Sequence, residues 1–310
     1  MTIAGARLLH LGTVVADVVL GVPALPPRGG DVLATAATVT AGGGFNVLAA
    51  AARQGMPAAY GGAHGTGPLA DLTRAALATE GIAVLLPPVP GLDTGFVLTM
   101  VEAGGERTFL TSRGAEATLT AADLDRVSPA ARDAIYLSGY GLVHDSNRAA
   151  LLGWLPRLGG GQTVFFDPGP LVGSIPAAAL AAVLARADWL ACNAREAAIL
   201  TGRADPRQAA AKLAGRAGRL RVLVRTGPGG CLIARPGAGV VHVPGFPVGV
   251  VDTNGAGDAH SGAFIAALAW GAADAAAARS ANAAAALSVT RRGPATAPTR
   301  EELARFLATA

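Results

Sequence analysis

Residues 250–264, VVDTNGAGDAHSGAF, place a turn of very small residues directly before a predicted helix. Gly255, Ala256 and Gly257 form that turn, and the alanine-rich, proline-free run that begins at Asp258 is typical of a helix. Aspartate is a preferred N-cap residue, which accounts for Asp258 by itself. It does not account for the glycines, because a capped helix needs no open route to its backbone. The turn therefore indicates that a ligand approaches the main chain here.

A helix N-terminus presents unpaired N–H groups and a partial positive charge, and both attract anions. The amides of residues 255–258 would donate to the oxygens of a phosphoryl group during its transfer, where negative charge develops. The carboxylate of Asp258 would repel a phosphate, but it is a good acceptor for the proton of an attacking hydroxyl. The stretch therefore predicts a phosphoryl-transfer site. Asp258 is its base, and Gly255, Ala256 and Gly257 are its anion-binding backbone.

The composition of the 310-residue chain is typical of a compact, well-buried α/β protein. Hydrophobic residues make up 51% of the chain and charged residues 15%. The formal net charge is +4, but the arginines are scattered singly or in pairs, so we expect no nucleic acid partner. Nowhere do eighteen uncharged apolar residues run together, so we expect no membrane span.

Two observations exclude other kinds of enzyme. Lys212 is the only lysine and lies outside any Gly-Lys-Ser/Thr sequence, which excludes a P-loop and Schiff-base chemistry. A nicotinamide dehydrogenase would need Gly-x-Gly-x-x-Gly after the first strand, and residues 12–14 do not supply it.

The ends and cysteines of the chain indicate the compartment. Cys192 and Cys231 are far apart without metal-ligand spacing, which favours buried thiols in a reducing compartment. The apolar N-terminus is interrupted by His10 and Asp17, so we interpret it as a first strand and not as a signal peptide. We therefore expect a cytoplasmic protein.

Short apolar runs of β-forming residues alternate with alanine-rich runs of helical length. The predicted strands are Leu8–Val15, Ile135–Leu137, Thr163–Phe166, Trp189–Ala191 and Val222–Val224. The predicted helices are Val47–Gln54, Leu69–Glu80, Ala177–Ala187 and Asp205–Ala217. This alternation predicts an α/β fold with a mostly parallel central sheet and helices on both faces.

Two segments interrupt that alternation. Residues 13–40 contain prolines, paired glycines and alternating β-formers, and residues 93–113 predict a hairpin that turns at Gly104-Gly105. We expect the two segments to pair as a small antiparallel lid beside the main sheet. The whole chain, residues 1–310, is then a single domain that contains the lid.

Five segments together resemble the ribokinase-like carbohydrate kinases, the phosphofructokinase-B family. They occur in the family's order over nearly the whole chain. They are AGGGFNVLAAAARQG (41–55), the Asn-x-x-Glu of 193–196, RTGPGG (225–230), the Asp-Thr-x-Gly-Ala-Gly-Asp of 252–258 and ANAAAALSVTRRGPATAP (281–298).

The resemblance implies an ATP-dependent kinase that acts on a primary hydroxyl of a sugar and uses Mg²⁺. In the family, the residue matching Glu196 orients water on magnesium and the residue matching Asn193 lies near the triphosphate. The remaining residues implied for nucleotide binding are Thr226, Gly227, Gly230 and Asn282. The spacing of Asn193 and Glu196 is equally compatible with a solvated first helical turn.

The resemblance assigns the acceptor sugar to Asp17, Gly43 and Asn46. Asn46 is either a helix cap or a ligand to sugar hydroxyls, and the resemblance favours the ligand. The sequence differs from ribokinase in two respects: it lacks the lysine between the glycines, and Val15 replaces an asparagine. A nucleoside is therefore an alternative acceptor, a phosphosugar fits less well without that lysine, and a non-catalytic sugar- or nucleotide-binding regulator is a further alternative.

Ribokinase also holds a monovalent cation beside its anion-binding turn, through backbone carbonyls. The matching residues here are Asp252, Asn254, Ser288, Arg291 and Gly293, which predicts activation by potassium. In this family the lid often pairs two subunits, so we also expect a homodimer that forms through the lid.

Overall fold

The computed structural model describes residues 6–216 and 218–310. Its strands are β1 (Leu8–His10), β2 (Val14–Val22), β3 (Ala36–Gly43), β4 (Ala58–Tyr60), β5 (Ala83–Val84), β6 (Phe96–Glu102), β7 (Arg107–Ser112), β8 (Ala134–Ser138), β9 (Thr163–Asp167), β10 (Trp189–Asn193), β11 (Arg221–Arg225), β12 (Cys231–Ala234) and β13 (Val240–Val243).

The α-helices are α1 (Gly44–Arg53), α2 (Pro68–Thr79), α3 (Ala121–Asp125), α4 (Tyr140–Val143), α5 (Asp145–Trp154), α6 (Ala177–Arg186), α7 (Ala194–Thr201), α8 (Pro206–Ala214), α9 (Ala256–Ala269), α10 (Asp274–Val289) and α11 (Arg300–Thr309). Each helix expected from the sequence is present within a few residues of its predicted bounds. Ala217, the last residue of one predicted helix, lies outside the described residues.

Nine strands form the central sheet in the order β13-β12-β11-β10-β9-β8-β1-β4-β5. The seven strands from β11 to β5 pair in parallel, and β12 and β13 extend the sheet by antiparallel pairing. Alternate residues of these strands enter two hydrophobic cores, one on each face. Ile135 and Phe166 pack with α3 and α5–α8, while Phe165 and Trp189 pack with α1, α2, α9 and α10. The predicted α/β sheet with helices on both faces is confirmed.

The two irregular segments form a separate four-stranded sheet, which we call the lid, in the order β3-β2-β6-β7. The predicted hairpin corresponds to β6 and β7, which pair antiparallel, as do β2 and β3. The two segments join through β2 and β6, and this central pair is parallel.

The prediction of one strand over Leu8–Val15 is wrong in extent. The chain leaves the central sheet after His10 and enters the lid at Val14, so the run contributes to two sheets. The bend needs a residue without a side chain, because a Cβ on Gly12 would lie 2.3 Å from the His10 ring. Hydrophobicity along the run is continuous, which conceals the bend.

The lid is anchored at both ends by charged side chains. Glu116, only 2% exposed, accepts hydrogen bonds from the amides of Gly95 (2.7 Å) and Gly114 (2.9 Å), the residues that flank the hairpin. At the far end, Arg107 of β7 donates to Asp252 at 2.6 Å, in the turn that precedes α9. The lid is thereby connected to the anion-binding turn.

Helices α1 and α9 pack together at an unusually close distance. A Cβ on Gly262 of α9 would lie 2.6 Å from the Cβ of Ala50 and 2.6 Å from the carbonyl oxygen of Val47. The small residues at this crossing bring the first turn of α1 against the first turn of α9.

We predict that Gly262→Ala destabilises the protein by roughly 1–3 kcal/mol, because the added methyl group overpacks this crossing. Gly153→Ala is the control, since a Cβ there meets nothing within 4 Å near the carboxyl end of α5. The control should stabilise the protein by about 0.5–1 kcal/mol. Urea unfolding of both variants checks the expectation, and equal stability of the two would contradict it.

Candidate active site

A cavity of about 480 Å³ lies between the lid and the carboxyl ends of the central strands. The last residues of four neighbouring parallel strands line it: Ser138, Asp167, Asn193 and Arg225. Ligands of open α/β sheets bind at this edge, where the strands end. The turn before α9 forms part of the same cavity wall.

Asp258 is the third residue of α9 and does not cap it. The N-cap is Gly255, in the left-handed conformation (φ 72°), and no side chain caps this helix. The Asp258 carboxylate instead accepts a hydrogen bond from Nδ2 of Asn46 at 3.0 Å, across the crossing of α1 and α9. Burial raises the pKa of Asp258 from 3.8 to about 7, even though the Asn46 hydrogen bond opposes the shift. The N-cap explanation of this aspartate is therefore wrong.

The turn before α9 lines the cavity through Gly255 and Gly257. A Cβ on Gly255 would lie 1.8 Å from the carbonyl oxygen of Pro294, so only glycine fits there. The Ala256 amide makes a long hydrogen bond of 3.3 Å to Thr253 O. The amides of Gly257 and Asp258 belong to the first helical turn, which has no intrahelical acceptor to offer them. Within residues 6–216 and 218–310 we find no other partner for these two amides.

The predicted acceptor residues share one wall of the cavity. Asp17 extends from β2 in the lid, and burial raises its pKa to about 6. A Cβ on Gly42 would lie 2.2 Å from an Asp17 carboxylate oxygen, so that glycine makes room for the aspartate. Gly43 (φ 61°) turns the chain from β3 into α1. Asn46 is 5% exposed, and its Oδ1 has no hydrogen-bond partner among the described residues.

Asn193 and Glu196 form a reciprocal cap at the start of α7. The backbone N–H of Asn193 donates to Glu196 Oε2 at 2.8 Å, and the backbone N–H of Glu196 donates to Asn193 Oδ1 at 2.9 Å. The alternative of a solvated helical turn is wrong, because Glu196 is only 4% exposed and lines the cavity. Burial, followed by the nearby charge of Asp167, raises the pKa of Glu196.

Arg225 and Asp167 were absent from the sequence-based site. Arg225 donates to Asp167 at 2.9 Å and to Ser261 Oγ at 3.0 Å, and its guanidinium lies 3.9 Å from Glu196. Burial opposes the Arg225 charge, but Asp167 and Glu196 outweigh it and raise the pKa of Arg225. Each residue directly follows a strand predicted from the sequence, and that position is the signal that could have identified them.

Of the predicted nucleotide residues, Asn193 lines the cavity, whereas Thr226, Gly227, Gly230 and Asn282 do not. Thr226, Gly227 and Gly230 form a tight turn between β11 and β12, in which both glycines have positive φ (66° and 89°). The Asn282 side chain is engaged elsewhere: its Nδ2 donates to the carbonyl oxygens of Val243 (3.0 Å) and Pro244 (2.9 Å). Its Oδ1 pairs with His260. Asn282 therefore holds the loop that follows β13.

The residues predicted to surround a monovalent cation converge behind the turn. Asp252 accepts hydrogen bonds from the amides of Asn254 (2.9 Å) and Gly293 (3.0 Å). Burial opposes its charge, but these two bonds together with Arg107 outweigh burial and lower the pKa of Asp252. The Thr296 hydroxyl donates to the carbonyl oxygen of Ser288 at 3.0 Å.

Arg291, also in the predicted set, pairs with Glu302 at 2.7 Å. Across residues 6–216 and 218–310, no group of three or more His, Cys, Asp or Glu side chains is arranged as a direct metal site.

Comparison with known proteins defines the class. Residues 6–301 match the pfkB family of carbohydrate kinases. The chain is 36% identical over 302 residues to the uncharacterized sugar kinase YegV of Escherichia coli (strain K12), covering 96% of this chain and 92% of the relative. It is 31% identical over 309 residues to an ATP-dependent ribose-1-phosphate kinase of Halopiger xanaduensis, and the match covers 97% of this chain and 98% of the relative. Ribokinase from Thermotoga maritima has a similar structure, with a TM-score of 0.83, 27% identity and 98% and 99% coverage.

The chain belongs to the pfkB family of carbohydrate kinases. Its reaction is the ATP-dependent phosphorylation of a sugar or a nucleoside. No helix in the described part of the chain is long and apolar enough to cross a membrane.

We predict that Asp258→Asn stabilises the protein above neutral pH. The folded state favours the protonated carboxyl group because its pKa is raised from 3.8 to about 7, so stability is lost as pH rises through this interval. Asparagine avoids that loss, which has an upper bound of about 4 kcal/mol at pH 8 and vanishes below about pH 4. Thermal unfolding across pH checks this, with Asp31→Asn, in an exposed loop, as the control. A difference that does not change with pH would contradict the expectation.

Proposed function

We propose that the enzyme transfers the γ-phosphoryl group of ATP to a primary hydroxyl of a sugar or sugar-like molecule, and that residues 1–310 act as a single catalytic domain. The observation that carries the proposal is the position of Asp258. It lies beside unpaired amides at the start of α9, it is held by Asn46 at 3.0 Å, and its pKa is about 7. A base with a pKa near the working pH is effective in proton transfer.

The groups in and beside the cavity divide the steps of this reaction among them. Asp258 accepts the hydroxyl proton while the hydroxyl oxygen bonds to the γ-phosphorus and the bond from phosphorus to the β,γ-bridging oxygen breaks. The amides of residues 255–258 donate to the phosphoryl oxygens, where negative charge develops. Asn46 fixes one carboxylate oxygen of Asp258 and, with Asp17 and Gly43, holds the acceptor. Asn193, Thr226, Gly227, Gly230 and the segment around Asn282 form the nucleotide side.

The carboxylates near Arg225 fit a magnesium ion. Asp167 and Glu196 offer the oxygen donors that Mg²⁺ prefers, and their mutual repulsion, expressed in the raised pKa of Glu196, would be relieved by a cation. We infer that Glu196 binds the ion through water, because both of its oxygens already accept hydrogen bonds from Asn193. When bound, Mg²⁺ offsets the charge of the phosphates.

The carbonyl groups around the anion-binding turn support a potassium site that involves Asp252, Asn254, Ser288, Arg291 and Gly293. Asp252 already joins the turn to Gly293 through hydrogen bonds at both of its oxygens. A cation would bind the nearby carbonyl dipoles and fix the turn before the phosphate arrives. The Thr296 hydroxyl competes with such an ion, because it donates to the Ser288 carbonyl at 3.0 Å.

Arg113 favours a second candidate acceptor, a phosphorylated sugar. It lies at the end of the lid, directly after β7, and lines the cavity together with His144. A guanidinium there could bind an acceptor phosphate in place of the absent lysine. The relative from Halopiger is named for ribose 1-phosphate. A nucleoside remains an alternative within the same cavity, and a non-catalytic regulator is disfavoured because binding alone needs no base.

The outer face of the lid supports a homodimer. Val39, Val18, Leu98 and Leu110 occupy one row across its four strands, on the face opposite Asp17. Val39 is 45% exposed and Leu110 is 59% exposed, so part of this apolar row is uncovered in one subunit. The buried free thiols of Cys192 and Cys231 support a cytoplasmic location.

We predict that the enzyme consumes ATP when an unmodified sugar is supplied. We also predict that Asp258→Asn lowers kcat roughly 10²–10⁴-fold while ATP binding is retained, because asparagine cannot accept the hydroxyl proton. A panel of pentoses, hexoses, nucleosides and sugar phosphates identifies the acceptor. Arg113→Gln separates the two candidates, since it should impair only a phosphorylated acceptor. Full activity of Asp258→Asn would exclude the proposed base.

We predict that Glu196→Gln raises the Mg²⁺ concentration needed for half-maximal rate and lowers kcat without altering the response to potassium. Rates are measured as the Mg²⁺ concentration is varied. Each titration is repeated with potassium, sodium or a bulky organic cation as the monovalent salt, at constant ionic strength. Equal rates in the three salts would show that the turn needs no monovalent cation. An unchanged Mg²⁺ requirement would show that Glu196 takes part only in capping α7 and does not contribute to magnesium binding.

A further inference from the structure

A second cavity, of about 290 Å³, lies at the opposite edge of the central sheet. It is lined by Thr163, Trp189 and Arg221, the first residues of β9, β10 and β11. The same three strands end in the active site. Four residue steps separate the two ends of each strand, or about 13 Å at the rise of a β-strand. The second cavity is therefore a separate site on the far side of the catalytic strands.

Two buried polar atoms of residues that line this cavity have no hydrogen-bond partner among the described residues: Thr163 Oγ1 and Gln162 Oε1. Thr163 is only 5% exposed. An unpaired buried polar atom is destabilising, and in native proteins it calls for a ligand, an ion or water. Asn46 Oδ1 is in the same condition in the active site, where the acceptor would supply its partner.

The charges around the second cavity leave two guanidinium groups weakly paired. Asp188 pairs with Arg186 through Oδ2 at 3.2 Å, and Arg219 lies 3.7 Å from its Oδ1. Asp274 pairs with Arg235 through Oδ2 at 2.7 Å, and Arg221 lies 3.7 Å from its Oδ1.

Four arginines thus share two carboxylates, and the two that line the cavity, Arg219 and Arg221, carry the surplus charge. Asp188 also lines the cavity, but its Oδ2 is held by the Val164 amide at 2.8 Å as well as by Arg186.

Both cavity arginines are held in place. The Arg221 guanidinium lies over the Trp189 ring, 5.4 Å from its centroid, and Arg219 donates to the carbonyl oxygen of Arg186 at 2.6 Å. Trp189 stacks in turn on Phe165, with the two rings 2° from parallel. Guanidinium groups that are held in place bind oxyanions with less loss of side-chain freedom.

We propose that this second cavity binds a small phosphate ester that carries hydroxyl groups. Two guanidinium groups match a doubly charged phosphate better than a single carboxylate. A hydroxyl of the ligand would donate to Gln162 Oε1, and another would pair with Thr163 Oγ1. The volume is that of roughly ten water molecules, which suits a three- to five-carbon compound. The site is independent of the identity of the kinase acceptor.

The test is calorimetric titration of the full-length enzyme, preloaded with a non-hydrolysable ATP analogue, with glycerol 3-phosphate. We expect saturable binding that is tighter than that of inorganic phosphate or glycerate, and none for glycerol. Arg219→Gln should weaken glycerol 3-phosphate about tenfold or more, as expected for losing a hydrogen bond to a charged group. Thr163→Val should weaken glycerol 3-phosphate several-fold and leave inorganic phosphate unchanged.

Two controls locate the binding. Arg235→Gln removes one positive charge near Asp274, and Arg235 does not line the cavity. Asp17→Asn alters the proposed acceptor wall of the first cavity. Both should bind glycerol 3-phosphate as the unmodified enzyme does. The proposal is overturned if that enzyme gives no binding, if Arg219→Gln and Thr163→Val leave binding unchanged, or if either control weakens it equally. Melting temperatures of all variants confirm that they are folded.

Discussion

The close crossing of α1 and α9 is the constraint on which the active site depends. Gly262 allows the crossing, since a Cβ there would overlap both the side chain and the backbone of α1. Because the helices meet at this distance, the first turn of one donates from Asn46 to the Asp258 carboxylate of the other. This contact between alanine- and glycine-rich helices holds the proposed base beside Asn46 of the proposed acceptor wall.

The electrostatic repulsion between Asp167 and Glu196 in the cavity is offset by the buried guanidinium of Arg225. Asp167 and Glu196 both lie within 4 Å of Arg225, which also reaches Ser261 of α9. Asp258 lies outside this cluster and is held by a neutral amide, so burial dominates and its pKa rises to about 7. The cavity thus separates a carboxylate pair suited to a metal ion from a carboxylate suited to accepting a proton.

Strands β9, β10 and β11 each end in a polar residue, and β9 and β11 also begin with one. Their carboxyl ends supply Asp167, Asn193 and Arg225 to the active site, while their amino ends supply residues to the second cavity. The apolar interior of each strand anchors both ends in the two cores. A parallel sheet of this kind holds two separate polar sites in fixed register, because each strand contributes to both.

The strands and helices followed from the sequence because each depends on neighbouring residues. β-forming runs, alanine-rich runs and the small residues before Asp258 are local patterns, and the structure contains the expected elements. Contacts between distant residues did not follow. Asn46 and Asp258 are 212 residues apart, and Arg225 and Asp167 are 58 apart. The bend after His10 and the hydrogen bonds of the Asn282 side chain were missed for the same reason. Which partner a side chain contacts depends on how the helices and strands pack. Packing brings together residues that are far apart in the chain, and the residues next to them in sequence do not indicate that contact.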